Sequence, residues 1–130
     1  MLADTSFIID LMAGVPAAVA KAAEFEKKGL AVWVGAPTVF ELYVGLSLTI
    51  RPGEELERII GVIGSLPQLA LDHVAAAEAG VVYGEKRREG VVLDPEDAMI
   101  AGIARVNGEA VVTRNLRHFK GIKGVAVETY

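Results

Sequence analysis

Three acidic residues in this chain border apolar segments, where a buried carboxylate is unfavourable. Asp4 lies in MLADTSF, Glu41 in TVFELYV and Asp97 in PEDAMIA. An unpaired buried carboxylate destabilises a fold, and several buried together do so more strongly, unless a cation neutralises them. If the chain brings these three side chains together, they predict a cation site built from carboxylate oxygens.

Each of these acids also has an ordinary structural explanation. Asp4 can cap the helix that follows it, because Asp is a preferred N-cap residue. Glu41 can lie on the solvent side of its helix. Asp97 can form a D-x-x-D variant of the capping box with Asp94, and Asn115 can serve simply as a turn residue. The spacing alone leaves both explanations open at each position.

Several other catalytic chemistries lack their residues or motifs here. The chain has no cysteine, which excludes disulfides, thiolate metal ligands and a cysteine nucleophile. The phosphate-binding patterns GxxxxGK(S/T) and GxGxxG are absent, and so are HExxH and GxSxG. His73 and His118 are far apart in sequence, so we predict surface or helix-capping positions for both. A metal would be held by oxygen ligands or by these two histidines.

Basic residues cluster in one segment although the net charge of the chain is −4. That net charge argues against broad electrostatic binding of nucleic acid. Residues 110–127, however, include no acidic side chain. The basic side chains of this segment are Arg114, Arg117, Lys120 and Lys123, with His118 among them. A second basic run covers residues 86–88, and a solvated surface is the simpler explanation of either run taken alone.

Apolar runs alternate with helical patterns along the chain. Continuous β-rich runs predict strands at residues 2–4, 30–35, 68–72, 109–113 and 124–129. Prolines at first helical positions and glycines after last turns predict helices at 6–12, 16–28, 37–48, 52–66, 73–88 and 95–107, with a turn or short helix at 114–119. This alternation implies one α/β domain over residues 1–130, with a parallel sheet and helices on both faces.

Polar residues follow the strands of this predicted sheet. In open parallel sheets, ligands bind outside the carboxyl ends of the strands, where the strand order reverses. The residues expected there are Asp4, Thr5 and Ser6 after the first strand, Glu41 in the helix after the second, Asp97 in the first turn of the helix before the fourth, and Thr113, Arg114 and Asn115 after the fourth. The fold would therefore bring the candidate ligands to one edge.

The chain is also unusually apolar. Hydrophobic residues make up 52% of it, and the mean hydropathy is +0.41. No charge-free stretch reaches the roughly 20 residues of a membrane-spanning helix, so we expect the excess to be covered by another subunit or a partner. Asp4, Asp10 and Pro16 interrupt the first apolar stretch, unlike a secretory signal, and we expect a cytoplasmic protein.

Four segments together resemble the PIN-domain family, and more narrowly the VapC-type toxins of toxin-antitoxin pairs. They are LADTSFIIDLMAG, TVFELYVGL, LDPEDAMIAGIA and VVTRNLRHFKGIKGV, in this order and at these separations. Each motif is weak alone, but the resemblance covers essentially the whole chain. It implies a five-stranded parallel sheet wrapped by helices, and an endoribonuclease whose acidic residues bind Mg²⁺ or Mn²⁺.

The resemblance also implies roles for individual residues. Asp4 and Asp97 would be direct metal ligands, and Glu41 a ligand or a base that orients water. The fourth position of the family, often Asp, is Asn115 here, which supplies an oxygen without a charge. Ser6 and Thr113 would add supporting oxygens, and Asp94 and Glu96 could supply the missing charge. Mg²⁺ prefers such hard oxygen ligands and would activate the water that hydrolyses the RNA phosphodiester.

Binding partners follow from the same resemblance. Carboxylates repel phosphate, so cations beside them must hold the RNA backbone. The residues expected to do so are Arg114, Arg117, Lys120 and Lys123. Family membership further implies a homodimer and a VapB-type antitoxin whose tail covers the toxin and blocks its site.

Two other functions remain open at this stage. Asn115 in place of an acid would suit a PIN-like module that binds metal poorly and acts only as an interaction partner. A receiver-like phosphoacceptor domain also clusters acids on a doubly wound sheet. That class requires paired acids after its first strand, an acceptor Asp at its third strand and a late lysine. Here only Asp72, at the end of the third predicted strand, matches.

Overall fold

A five-stranded parallel sheet forms the centre of the protein, whose structure is a computed structural model describing residues 1–130. The spatial order is β3-β2-β1-β4-β5, and every neighbouring pair is parallel. The strands are β1 (Leu2–Ala3), β2 (Trp33–Gly35), β3 (Gln68–Leu69), β4 (Val111–Val112) and β5 (Val127–Glu128). The predicted α/β class and the five predicted strands are confirmed.

Seven helices connect and cover the strands. They are α1 (Thr5–Met12), α2 (Pro16–Lys27), α3 (Ala36–Leu48), α4 (Pro52–Ile63), α5 (His73–Arg88), α6 (Pro95–Asn107) and α7 (Leu116–Phe119). No single helix is long and apolar enough to cross a membrane, and α1 with α2 passes that test only as a pair bent by 107°.

Helices lie on both faces of the sheet, as two separate apolar clusters show. One cluster of 12 buried residues packs α5, α6 and α7 on the sheet and includes Ile100, Ile103 and Phe119. The other has 11 buried residues, among them Phe7 of α1 and Phe25 of α2. Because β1 and β4 contribute side chains to both clusters, these central strands are fully enclosed.

The strands are shorter than the sequence predicts. The central strand β1 has only two residues, because Asp4 already occupies the N-cap position of α1. Leu2 lies between Trp33 and Val111 in the register, so neither neighbour can pair with β1 over more than a short ladder. The helix predicted at 52–66 also ends early, at Ile63, where Gly64 forms its C-cap.

The strand order places the reversal point beside β1. The chain runs from β1 outward through β2 to β3, and then returns to the other side of β1 as β4. Ligands gather at such a reversal, so the residues that follow β1 and β4 face the expected site. The order also differs from the 2-1-3-4-5 order of receiver domains, which removes the phosphoacceptor alternative.

Helices α5 and α6 pack closely because the residue of α6 at their point of contact, Gly102, has no side chain. A Cβ atom added to Gly102 of α6 would lie 2.5 Å from the Ala75 carbonyl oxygen and 2.6 Å from the Ala79 amide nitrogen. Both contacts are with backbone, which cannot rotate away. This contact fixes the position of α6, and α6 carries Asp97.

We predict that Gly102→Ala lowers the free energy of unfolding by about 3 kcal/mol, as overpacking of a dense contact does. Urea denaturation measures the change. Gly84→Ala in α5 is the matched control, since a Cβ there meets nothing within 4 Å and should add helix propensity. An unchanged urea midpoint for Gly102→Ala would contradict the close packing of α5 on α6.

Candidate active site

Asp4 lies at the carboxyl end of β1, with only 5% of its surface exposed. It occupies the N-cap position of α1, but its side chain makes no capping hydrogen bond. Its Oδ2 atom instead accepts hydrogen bonds from the Ser6 and Thr113 hydroxyls, both at 2.7 Å. The carboxylate is therefore held toward the β1–β4 edge, and the explanation of Asp4 as a side-chain cap is wrong.

A hydroxyl network fixes the loop after β4 against the start of α1. The Thr113 hydroxyl accepts a hydrogen bond from the Asn115 amide at 2.9 Å and lies 3.2 Å from the Ser6 hydroxyl. The Ser6 hydroxyl in turn accepts from the Arg114 amide at 3.4 Å. Ser6 and Thr113 thus support Asp4 while holding Arg114 and Asn115 at the same edge.

Glu41 reaches the site from the second turn of α3. Its Oε2 atom accepts a hydrogen bond from the Thr5 hydroxyl, and the side chain is half-buried. Thr38, one turn earlier, is fully buried and donates to the Ala3 carbonyl at 3.3 Å. This contact anchors the first turn of α3 at the end of β1, so Glu41 does not lie on the solvent side of its helix.

Asp97 reaches the site from the first turn of α6. Its Oδ2 atom lies 2.9 Å from Nδ1 of His118, and 15% of the side chain is exposed. Asp94 occupies the N-cap position of α6 but makes no side-chain capping bond. The capping-box explanation of Asp97 is therefore wrong, and the carboxylate pairs with an imidazole from α7 instead.

These acids line one cavity of about 250 Å³, which we call the acid cavity. Its lining contains five carboxylates, one guanidinium and one imidazole. The lining residues are Asp4, Thr5, Ser6, Ile9, Glu41, Asp94, Glu96, Asp97, Arg114, Asn115 and His118. The convergence that the sequence left conditional is thus present in the structure.

The carboxylates of the acid cavity destabilise one another's charged forms. Burial raises the pKa of Glu41, and the neighbouring Asp4, Asp97 and Glu96 add to the effect against the opposing Thr5 hydrogen bond. Burial also raises the pKa of Asp97, with further repulsion from Asp4 and Asp94, although His118 opposes it. Perturbed carboxylates in a cleft are typical of functional sites.

The oxygen donors of the acid cavity suit a hydrated divalent cation. No three acidic or histidine side chains lie close enough together to surround one ion directly. Mg²⁺, however, usually keeps several waters and uses only one or two carboxylates. A cavity of about 250 Å³ has room for an ion with such waters, since each water occupies about 30 Å³ in the liquid.

The predicted basic residues separate into two groups. Arg114 lines the acid cavity, and Arg117 lines an adjoining cavity of about 180 Å³ that shares Asp94, Asp97 and His118 with it. Lys120 and Lys123 are exposed but line neither cavity.

The position of Lys123 follows from its backbone contact. Its carbonyl oxygen accepts from the Arg105 guanidinium at 2.6 Å. Arg105 lies eight residues beyond Asp97 in α6, which is about 12 Å along the helix axis. Lys123 is therefore near the opposite end of α6 from Asp97 and outside the acid cavity.

His118 is the site residue that sequence reasoning missed. We predicted a surface or capping position, and His73 does begin α5 in an exposed position. His118 instead contacts Asp97, because α7 folds back against α6. The available signal was its place in the 110–127 segment, which was already expected to border the site.

Comparisons with known proteins agree with this geometry. The PIN domain family model matches residues 1–125. The tRNA(fMet)-specific endonuclease VapC of Salmonella typhimurium is 36% identical over 97 residues, which cover 75% of this chain and 74% of that protein. The protein of the same name from Shigella flexneri is 31% identical over 127 residues, or 98% of this chain and 95% of that protein.

A solved structure supports the same assignment. The crystal structure of DNA-bound VapBC from Salmonella typhimurium contains a chain that matches with a TM-score of 0.88 and 31% identity, covering 98% of this chain and 96% of that one. The chain belongs to the PIN-domain family, and within it to the VapC-type branch. The resemblance drawn from the four sequence motifs is confirmed.

The raised pKa values of Glu41 and Asp97 predict how the free energy of unfolding of the metal-free protein depends on pH. A carboxyl group whose pKa is raised on folding binds more protons in the folded state, so its stabilising contribution is complete below its ordinary value and is lost as pH rises through the folded pKa. The ordinary values are 4.5 for Glu41 and 3.8 for Asp97. These two groups therefore destabilise the fold at neutral pH.

Accordingly, Glu41→Gln should raise the melting temperature at pH 7 in EDTA and flatten the loss of stability above pH 4.5. Differential scanning calorimetry from pH 4 to 8 measures both effects. Glu57→Gln, an exposed change in α4, is the matched control. A melting temperature for Glu41→Gln at or below that of the wild type at pH 7 would contradict the conclusion that the charged form of Glu41 destabilises the fold.

Proposed function

We propose that this protein is a divalent-metal-dependent endoribonuclease, the toxin of a VapBC-type toxin-antitoxin pair. The observation that carries the proposal is the convergence of Asp4, Glu41 and Asp97 on one cavity. The two curated relatives are named for cleaving tRNA(fMet), which makes that tRNA the first substrate to test.

The residues divide the work by their positions. Asp4 and Asp97 would hold Mg²⁺ or Mn²⁺, which when bound supplies Lewis-acid stabilisation of the phosphate and activates water. Glu41 serves as a further ligand or as the base that orients the attacking water; its raised pKa brings it closer to the range useful for proton transfer. Asn115 contributes an amide oxygen, with Ser6 and Thr113 supporting Asp4.

The substrate must approach five carboxylates, so cations at the rim are required to hold its phosphates. Arg114 and Arg117 border the two adjoining cavities, and Lys120 follows on the same segment. An RNA strand lying across the acid cavity toward Arg117 would pass over His118, which lines both cavities. Contacts of this kind position the backbone without reading its sequence.

The surface of α3 and the following loop supports a protein partner. Large apolar side chains are exposed there, with Ile50 94%, Leu48 78% and Phe40 58% exposed. Exposed apolar groups of this extent are typical of interaction surfaces. We assign them to a second copy of the chain and to a VapB-type antitoxin, the partner present in the related VapBC structure.

Replacement of either proposed metal ligand tests the enzymatic assignment. Asp4→Asn and Asp97→Asn should each lower the rate of RNA cleavage at least about 100-fold, since even outer-shell partners of metal ligands typically contribute 10- to 100-fold. They should also abolish the rise in melting temperature that Mn²⁺ gives the wild type by binding the folded state.

The matched control is Asp72→Asn, because Asp72 caps α5 through the Ala75 amide at 2.9 Å and lies outside the acid cavity. It should cleave normally. Cleavage at the wild-type rate by Asp4→Asn would refute the proposed ligand set. A wild-type protein that neither cleaves RNA nor gains stability with Mn²⁺ would instead favour the non-catalytic interaction module.

The proposed contacts of Arg117 and Lys120 with the RNA backbone can be tested separately. Neutralising Arg117 and Lys120 together should reduce the slope of log affinity against log salt for single-stranded RNA by about 1.4, at about 0.7 per phosphate contact. Fluorescence anisotropy from 50 to 300 mM KCl measures the slope. Arg87→Ala with Arg88→Ala, at the end of α5, is the control pair. Equal slopes for the wild type and the Arg117 and Lys120 variant would contradict the proposed phosphate contacts of these two residues.

A further inference from the structure

A buried carboxylate outside the acid cavity holds the one guanidinium that lines it. Asp10 of α1 is 5% exposed, and its Oδ1 atom lies 2.6 Å from Nη1 of Arg114. Its other oxygen, Oδ2, accepts a hydrogen bond from the Tyr130 hydroxyl at 2.8 Å. Both oxygens of Asp10 are therefore engaged, and no other basic side chain pairs with them.

Tyr130 is itself held in place. Its ring packs edge-on against Phe7, with ring centroids 5.1 Å apart. Burial, and then the hydrogen bond to Asp10, raise the pKa of the Tyr130 hydroxyl, so it stays protonated and donates at neutral pH. The Asp10 carboxylate thus has a fixed orientation before it meets Arg114.

Two residues of helix α1 form hydrogen bonds with Arg114. Ser6 and Asp10 are four residues apart and therefore share one face of the helix. The Ser6 hydroxyl accepts from the Arg114 backbone amide, while Asp10 binds the guanidinium. Arg114 lies on a loop, but α1 thus holds both its backbone and its guanidinium.

The contact with Asp10 leaves most of the Arg114 guanidinium free to bind a ligand. The Arg114 side chain is 51% exposed, and only Nη1 is engaged by a side chain. A guanidinium has five N–H donors in a planar fork that matches phosphate oxygens. Arg114 is also the only lysine or arginine among the residues that line the acid cavity.

We propose that Asp10 and Tyr130 are positioning residues that aim the Arg114 guanidinium at a phosphate of the bound RNA. The inference rests on the proposed ribonuclease function and deepens it. Pre-orientation lowers the ordering penalty of binding, because a free arginine would lose its side-chain freedom only when the substrate arrives. Asp10 therefore acts through Arg114 and does not touch the substrate.

A double-mutant cycle with steady-state kinetics tests this role. Arg114→Ala should raise KM for a cleaved RNA about tenfold, and Asp10→Asn about fivefold, each with kcat changed less than twofold. Because Asp10 acts through Arg114, Asp10→Asn should have no further effect on KM in the Arg114→Ala background. A purely structural role for Asp10 predicts multiplying effects or an unchanged KM, and either result would overturn the proposal.

Two further variants keep the test decisive. Tyr130→Phe removes only the hydroxyl and should raise KM about threefold, and it serves if Asp10→Asn fails to fold. Glu78→Gln is the control, because it removes a carboxylate partner of Arg105 away from the acid cavity and should leave KM unchanged. A wild-type protein that cleaves no RNA contradicts the proposed function instead, and the same cycle is then measured on RNA affinity.

Discussion

Repulsion among carboxylates at the carboxyl edge of the sheet is the constraint around which this structure is built. Asp4, Glu41 and Asp97 come from three different elements. Burial raises the pKa of Glu41 and of Asp97, and the charges of the neighbouring carboxylates raise both further. Neutral hydroxyls hold Asp4 and Glu41, and they orient the charges without neutralising them. The protein thus keeps negative charge concentrated where a cation and a phosphate must meet.

The rest of the fold serves to hold these charges in place. A two-residue central strand leads directly into α1, so Asp4 emerges at the point where the strand order reverses. Thr38 anchors α3 to the end of β1, and Gly102 allows α6 to pack closely on α5. Each contact fixes the helix that delivers one acid, so packing some distance from the acid cavity determines its geometry.

The basic side chain at this edge of the sheet is held by a carboxylate, whereas Asp4 and Glu41 are held by neutral hydroxyls. Arg114 is bound by a buried carboxylate that does not line the acid cavity, so its orientation is set from behind while its exposed face remains free. His118 pairs with Asp97 directly and opposes the rise in the pKa of that carboxyl group. The side chains of Lys120 and Lys123 have no such support, and Lys123 lies outside the acid cavity.

Much of the fold was predictable from local signals. Proline at the start of helices and the alternation of strands with helices defined the α/β class, and Asp72 directly before α5 is a preferred N-cap residue that does cap that helix. The strand lengths were not predictable, because pairing with a two-residue central strand limits its neighbours. The capping explanations of Asp4 and Asp97 failed for a similar reason, since the choice depends on Thr113 and His118, which are distant in sequence.

The partners of Asp10 and Asp97 illustrate the same limit. Nothing in the local pattern of α1 links Asp10 to Arg114 or Tyr130, more than 100 residues away. Local sequence predicts which residues have the right chemistry, whereas their pairing follows from the strand order. The four motifs in register captured that long-range information, which is why family resemblance located the acids that spacing alone left ambiguous.

The most direct test of the central claim is a crystal structure grown with saturating Mn²⁺, with anomalous diffraction data collected to locate the ion. The account predicts an anomalous peak within the acid cavity, with oxygens of Asp4 and Asp97 or their bound waters around it. A cavity without a peak, while its carboxylates keep only their hydroxyl and imidazole partners, would contradict the claim that these acids converge in order to hold a cation.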